Sequence, residues 1–286
     1  MQYKSKVCCL IGDPIEHTIS PLIHNIAFQK LGIDYVYVAF RVKKSMLKMA
    51  VDGVKALNIR GLNVTIPHKV EIINYLDKVD KLAENIGAVN TVVNEDGKLI
   101  GYNTDGPGAI KALQDKGFYL RGKRILILGA GGAARAIAYY IAREEPSEII
   151  ILNRSVEKAL EVSDKIGCEM NISCKAAKLE EENLKKALEN TDLLINCTSV
   201  GMFPNLEETL VPKAFLKMDM TVMDIVYNPI YTRLLREAAD VGCNIICGID
   251  MLVNQAALSF EIWTGIKAPV EEMRRTALEA LRKDLL

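Results

Sequence analysis

Short apolar runs alternate along the chain with longer segments whose apolar positions fall three and four apart, the pattern of buried strands separated by amphipathic helices. In the first third the strand-like runs cover residues 6–12, 35–41 and 60–66. A hairpin over 88–94 and 98–102 turns on Asp96-Gly97. Pro21 opens a helix whose buried stripe is Leu22, Ile26, Ala27 and Leu31. Ser45 caps a second helix over 45–57, and Pro67-His68-Lys69 begins another. Residues 104–116 form a helix that leads into a regular alternation. Strands are predicted at 125–128, 148–152, 169–173, 192–197, 220–225 and 244–247, with helices ending at 142 and covering 156–166, 179–188 and 230–239. Helices of that length between strands imply right-handed crossovers and a parallel sheet covered on both faces. The tail, 251–264 and 270–286, is two amphipathic helices with no strand between them.

The central strand Ile125-Leu126-Ile127-Leu128 runs into Gly129-Ala130-Gly131-Gly132-Ala133-Ala134 and an Ala-rich helix. This is the G-x-G-x-x-A arrangement of a dinucleotide site. Gly129 makes the tight turn, Gly131 lets a pyrophosphate approach the backbone, and Ala134 lets helix and strand pack closely. The helix N-terminus offers free N–H groups and partial positive charge to the phosphates. A glycine turn that only permits close packing is the plain alternative. The next strand ends at Asn153-Arg154-Ser155, with no carboxylate to accept from the ribose hydroxyls of NAD. Arg154, Ser155 and Lys158 instead suit a 2′-phosphate, which points to NADP. Asn153 and Ser155 could equally cap the helix that follows, and Glu157 keeps an NAD reading open.

The expected fold class is therefore α/β with two domains. An N-terminal α/β substrate domain with a mainly parallel sheet spans residues 1–104 and is completed by the C-terminal helices of 251–286. A Rossmann dinucleotide-binding domain spans 105–250. The helix 104–116 and the segment around Gly248 would be the hinges between them. The length of 286 residues suits two domains of ordinary size. With 36 basic and 36 acidic residues the net charge is zero, which gives no footing for nucleic acid or an anionic membrane surface. The apolar run before Gly12-Asp13 is too short for a signal-peptide core, and no later segment approaches a membrane span. Seven cysteines, several in strand-like runs, read as reduced thiols of a cytoplasmic protein. Cys243 and Cys247 read as buried thiols on one strand, and His17, His24 and His68 have no zinc spacing, so no metal is expected.

Three polar clusters precede the dinucleotide turn: Thr18-x-Ser20, Asn63-x-Thr65-x-x-x-Lys69, and Asn90-Thr91 with Asn103-Thr104-Asp105. Each falls at the end of a predicted strand or hairpin, where open sheets carry ligands. Taken singly each could be turn or capping chemistry. Together, with one lysine and one aspartate, they suit a small polyhydroxylated substrate.

The stretches GDPIEHTISPLIHN, GLNVTIPHK, GAVNT, GYNTDG, GAGGAAR, NRS and GIDMLVNQAA occur in an order that resembles the shikimate dehydrogenase family over essentially the whole chain. The resemblance implies NADPH-dependent reduction of 3-dehydroshikimate to shikimate, on the route to aromatic amino acids. It implies that Thr18 and Ser20 bind the substrate carboxylate, that Asn63, Thr65, Asn90 and Gln255 hold ring hydroxyls, and that Tyr227 lines the site. Lys69 and Asp105 match the family's catalytic pair. Gly129, Ala130, Gly131, Gly132, Ala133, Asn153, Arg154, Ser155, Lys158 and Gly248 match its cofactor positions. Many members carry Ser at the place of Thr18, which keeps the hydroxyl and adds a methyl; some carry Arg at the place of Lys158, whose ammonium lacks the bidentate fork. The other readings are an NAD-preferring quinate/shikimate dehydrogenase and a non-catalytic nucleotide or metabolite sensor. A homodimer is the assembly to test.

Overall fold

The computed structural model describes residues 5–283. The chain falls into two compact units, one made of the chain up to Asp105 and from Val253 onward, the other of Gly106–Leu252. In order, the first stretch holds β1 (Lys6–Gly12), α1 (Ser20–Leu31), β2 (Tyr35–Arg41), α2 (Leu47–Ala56), β3 (Gly61–Val64), β4 (Lys78–Val79), α3 (Lys81–Ile86), β5 (Thr91–Glu95) and β6 (Lys98–Tyr102). Then come α4 (Asp105–Asp115), β7 (Arg124–Leu128), α5 (Gly132–Ala142), β8 (Glu148–Asn153), α6 (Val156–Met170), β9 (Cys174–Lys178), α7 (Glu181–Leu188) and β10 (Leu193–Asn196). The chain ends with β11 (Thr221–Asp224), α8 (Arg233–Val241), β12 (Asn244–Ile246), α9 (Gly248–Thr264) and α10 (Val270–Lys283). The divisions between units fall inside α4 and α9. No helix among the described residues is long and apolar enough to cross a membrane.

In the first unit the sheet order is β2-β1-β3-β5-β6-β4. The β1 strand runs parallel to β2 and β3, setting Cys9 opposite Val38 and Leu62, whereas β5 is antiparallel to both β3 and β6. Asp96 (φ 49°) and Gly97 (φ 88°) both take positive φ, which is the type I′ turn a two-residue hairpin favours. One apolar cluster joins Cys9, Ile11, Leu62 and Val64 of the sheet to Leu47, Val51 and Val54 of α2.

An aromatic cluster explains why the tail returns to this unit. His24 stacks on Tyr37 at 4.4 Å and tilts against Trp263 at 5.2 Å, and Phe28 lies 5.3 Å from Phe260. Burial pushes the His24 imidazole down to about 3, so it is neutral among these rings. Trp263 Nε1 donates to the Val92 carbonyl at 2.9 Å, and Arg60 Nε donates to the Trp263 carbonyl at 2.9 Å. The indole lies so close to Gly61 that a Cβ there would stand 2.6 Å from the ring.

Several expectations are corrected. The buried side of α1 is Ile23, His24, Ala27 and Phe28, while Leu22 and Leu31 are 53% and 37% exposed. A histidine placed in the aromatic stack rotates the stripe by one residue. Ser45 lies within a 3₁₀ turn, and α2 starts without a side-chain cap. Lys69 occupies a turn followed by a 3₁₀ segment, Glu71–Tyr75, rather than a helix start. The strand expected at 169–173 is β9 at Cys174–Lys178, because α6 continues to Met170 and ends at Asn171 in the left-handed conformation. Tyr139 donates to Glu169 at 3.0 Å and ties that last turn to α5. Asp105 groups with the first unit, beside Lys69, rather than with the second.

In the second unit all pairings are parallel and the order is β12-β11-β10-β7-β8-β9. The chain winds outward from β7 through β8 and β9, then returns to β10 and winds the other way. That is the doubly wound order, whose switch point lies between β7 and β10. Leu126, at the centre, pairs with Ile150 and Leu194.

Gly61 and Gly53 make a matched pair. Gly61→Ala forces the buried indole to move and is expected to lower the thermal midpoint by several degrees. Gly53→Ala lies in α2 with nothing within 4 Å of the added methyl, and is expected to raise helix stability by about 0.5–1 kcal/mol. Scanning calorimetry of the two variants checks the contrast, and equal midpoints would remove the packing argument.

Candidate active site

In the first unit Lys69 and Asp105 form a salt bridge of 2.6 Å between Nζ and Oδ2, with side chains 15% and 6% exposed. An ion pair at that depth holds only if its remaining polar atoms are satisfied. The other carboxylate oxygen accepts from Asn90 Nδ2 at 2.9 Å, and the Asp105 amide donates to Asn103 Oδ1 at 3.0 Å. Asn103 in turn donates to the Ala88 carbonyl, and Val89 N donates to the Lys69 carbonyl at 2.8 Å. Both partners are thus fixed to the segment that leads into β5.

Asn90 is the centre of this network. Its Oδ1 accepts from Thr104 N at 2.7 Å, and its Nδ2 reaches Thr104 Oγ1, Asp105 Oδ1 and Gln255 Oε1. Gln255, on α9, thereby joins Lys69 and Asp105. Asn63 is buried beside Asn90. Its Oδ1 accepts from the Tyr37 hydroxyl at 2.7 Å, and its Nδ2 faces the Asn90 carbonyl, Thr91 Oγ1 and Ser259 Oγ. Both ends of that amide are engaged by the protein, so Asn63 supports its neighbours. Thr65 is half-buried after β3, its amide donating to the Ile11 carbonyl and its methyl set against Gly12.

Thr18 and Ser20 come together at the N-terminus of α1. Their hydroxyls are 3.2 Å apart, and Ser20 N donates to Thr18 Oγ1. The first-turn amides are already spent, Ser20 N on Thr18 and Leu22 N and Ile23 N on the Ile19 carbonyl, and Pro21 has none, so two hydroxyls at a weakly positive helix end are what this corner offers a carboxylate.

In the second unit Gly129 adopts φ 107° with the Cys197 carbonyl 3.1 Å from where a Cβ would be. Gly131 is exposed, caps α5 without a side chain, and has nothing within 4 Å of the Cβ position. Ala130 and Ala134 are buried, and Gly132 and Ala133 are half-buried. A bare helix start reached through a glycine with open space beside it fits the pyrophosphate of a dinucleotide. At the end of β8, Asn153 Nδ2 donates to the Ser155 carbonyl at 2.8 Å and shapes the turn. Ser155 heads α6 but makes no cap bond. Arg154 and Lys158 are exposed and have no ion-pair partner among the described residues. Gly248 starts α9 against β11: a Cβ there would lie 2.4 Å from the Val226 carbonyl, which gives this glycine a packing reason of its own. Tyr227 is half-buried in the loop after β11.

Sequence reasoning missed the residues that hold these groups in place. Tyr37 and Ser259 read as strand and helix residues, and nothing local marks them. Asp224 was also missed. It is fully buried, accepting from Asn196 Nδ2 at 3.0 Å, Val226 N at 3.0 Å and Thr232 Oγ1 at 2.7 Å. One carboxylate thus ties the ends of β10 and β11 to the cap of α8. Its signal was an acidic residue closing an otherwise apolar strand.

A doubly wound unit with a bare glycine turn, joined to an α/β unit holding a buried Lys–Asp pair, is the build of a dinucleotide-dependent dehydrogenase. The profile described as "Shikimate dehydrogenase substrate binding domain" matches residues 10–92, "Shikimate / quinate 5-dehydrogenase" matches 111–227, and "Shikimate 5'-dehydrogenase C-terminal domain" matches 248–278. A shikimate dehydrogenase (NADP(+)) of Methanocaldococcus jannaschii is 47% identical over 281 residues, 98% of this chain and 99% of that protein. A crystal structure of a shikimate dehydrogenase in complex with NADP+ superposes with a TM-score of 0.91 at 46% identity, covering 98% of this chain and 97% of the other. The Thermus thermophilus enzyme, solved with NADP(H) and shikimate, gives 0.87 at 34% identity over 96% of this chain and 100% of the other. The chain belongs to the shikimate dehydrogenase family.

Burial raises the Asp224 carboxyl from 3.8 to about 6, against the hydrogen bonds of Thr232, Val226 and Asn196. Between those values the folded chain keeps a proton that the unfolded chain has lost, so this group's contribution to stability falls as pH rises, and levels off above about 6. Asp224→Asn does not titrate. The thermal midpoint of the wild type is expected to fall relative to that of the variant across this window, and parallel profiles would show that Asp224 does not ionise there.

Proposed function

We propose that the chain catalyses the reversible NADPH-dependent reduction of 3-dehydroshikimate to shikimate. The observation that carries this reading is the buried Lys69–Asp105 pair locked by Asn90, in a chain of this family. NADPH, when bound, supplies the hydride. Gly129, Ala130, Gly131, Gly132 and Ala133 would hold its pyrophosphate, Asn153, Arg154, Ser155 and Lys158 its phosphorylated ribose, and Gly248 the packing of α9 beside it.

Thr18 and Ser20 would hold the substrate carboxylate at the start of α1. Thr65, Asn90 and Gln255 would read its hydroxyls, with Asn63 as their support and Tyr227 at the edge of the site. Lys69, as the ammonium, donates a proton to the carbonyl oxygen as the carbon is reduced; in the reverse direction, as the amine, it takes the hydroxyl proton. Asp105 keeps the Lys69 stem in one orientation. No arginine stands in the substrate clusters, so the carboxylate would be bound by hydroxyls, which suits a small metabolite held with modest affinity.

Balanced charge and the small polar substrate support a cytoplasmic enzyme with no nucleic-acid partner, and a homodimer is the assembly to weigh by light scattering. The second reading, an NAD-preferring quinate/shikimate dehydrogenase, is favoured by one observation, the carboxylate of Glu157 beside Ser155.

The deciding assay is shikimate-dependent formation of NADPH, run in parallel with NAD and with quinate. Turnover with NADP and shikimate is expected to lead; a clear lead for NAD would move the chain to the second reading. Lys69→Ala is expected to lower kcat by about 10²- to 10⁴-fold, the usual contribution of a general acid–base, while calorimetric binding of NADP is retained. Near-normal turnover in that variant would remove Lys69 from the mechanism.

A further inference from the structure

This inference rests on the NADP reading above and concerns the segment assigned to the ribose of that cofactor. Ser155 stands at the N-cap of α6, where a serine hydroxyl ordinarily accepts from a first-turn amide, yet no such bond forms. Its hydroxyl donates instead to Glu157 Oε2 at 2.6 Å. That hydroxyl, and next the backbone of Glu157, hold the Glu157 carboxyl below its ordinary range, so it is charged at neutral pH. On either side, Arg154 and Lys158 are exposed and without an ion-pair partner among the described residues. The carboxylate has therefore taken a neutral hydroxyl, although two cations lie within three residues of it in the chain.

We propose that Glu157 is a specificity-determining residue that holds back the preference for the 2′-phosphorylated dinucleotide, by withholding the Ser155 hydroxyl and setting a carboxylate among the cations that would receive the phosphate. A phosphate monoester carries a charge of about −1.5 to −2 at neutral pH. To gain Ser155 it must displace Glu157, and it then sits near a like charge. An unphosphorylated ribose brings no such charge, and its hydroxyls can donate to a carboxylate. Glu157 thus acts against one dinucleotide and not the other, while Arg154 and Lys158 act in favour of the phosphate. A purely structural role, a negative charge in the first turn of α6 favoured by the helix dipole, would change stability and leave this discrimination unmoved.

The test is Glu157→Gln in the full chain, with calorimetric titration of adenosine 2′,5′-bisphosphate and of adenosine 5′-monophosphate. Removing a like charge and releasing a donor is expected to tighten the bisphosphate roughly three- to tenfold, with the monophosphate unchanged or weaker. The NADP-to-NAD ratio of kcat/KM is expected to rise in the same direction. The gain should shrink in high salt and in a Ser155→Ala background, where no hydroxyl is left to release. Equal changes for both nucleotides, or none, would overturn the proposal. If the wild type turned over neither dinucleotide with shikimate, the catalytic reading would fail, while the binding ratio would still decide the role of Glu157.

Discussion

The buried carboxylate of Asp105 is the constraint on which the arrangement of the first unit depends. It is the first residue of α4 and the last of its unit's N-terminal stretch, and it meets Lys69 from a turn thirty-six residues earlier. Taking both charges out of water is costly and is offset only where every remaining lone pair and proton finds a partner. The surroundings meet that condition on the side of the carboxylate: Asn90 takes the second oxygen, and the backbone on either side is tied down through Asn103 and Val89. Asn90 can serve Asp105 only because Thr104 fixes its other end, and Gln255 reaches the same amide from the returning tail. The return of that tail depends on Trp263 and Phe260 lying against the sheet, which in turn requires Gly61. A site assembled from β3, β5, the start of α4 and α9 is thus a consequence of packing.

The second unit solves a different problem with opposite means. Its helix starts are left uncapped by side chains: α5 begins at a glycine that offers no cap, and α6 begins at a serine whose hydroxyl bonds the Glu157 carboxylate rather than a first-turn amide. Unspent helix starts at the switch point of a doubly wound sheet suit phosphates. The residues beneath them are fully engaged, as Asp224 shows by binding Asn196, Val226 and Thr232 at once. In both units a closed network of polar bonds holds a small number of groups that are left available.

What was legible in the sequence follows from this division. The strand–turn–helix around Gly129 could be read because its physics is local, each glycine answering to a turn or a close approach within a few residues. The hairpin on Asp96-Gly97 was legible for the same reason. The stripe of α1 was misread because His24 is buried by rings contributed by β2 and α9, and no local period carries that information. The end of α6 was misplaced because its last turn is held by Tyr139, a contact thirty residues away. In the candidate site, Lys69, Asp105 and the asparagines were singled out by their motifs. Their supports, Tyr37 and Ser259, were not, because a supporting residue is defined by what it touches. Asn63 adds what the motif does not show: its amide bonds Tyr37 at one end and Ser259 at the other.

The same accounting bears on why the proton-transfer role is proposed for a lysine in a chain that has three histidines. A histidine titrates nearest neutral pH and is the ordinary choice for general acid–base work. Here His24 is held neutral in an aromatic stack with no exposure to solvent to speak of, and His68 is buried with its Nε2 fixed to the Val42 carbonyl at 2.7 Å. His17 is exposed on the loop before α1, outside the network around Asp105. Lys69 follows His68 directly, so the buried imidazole anchors the turn and leaves the next side chain to extend toward Asp105. The histidine beside the pair therefore holds the turn, and the side chain it helps to place is the ammonium for which the proton transfer is proposed.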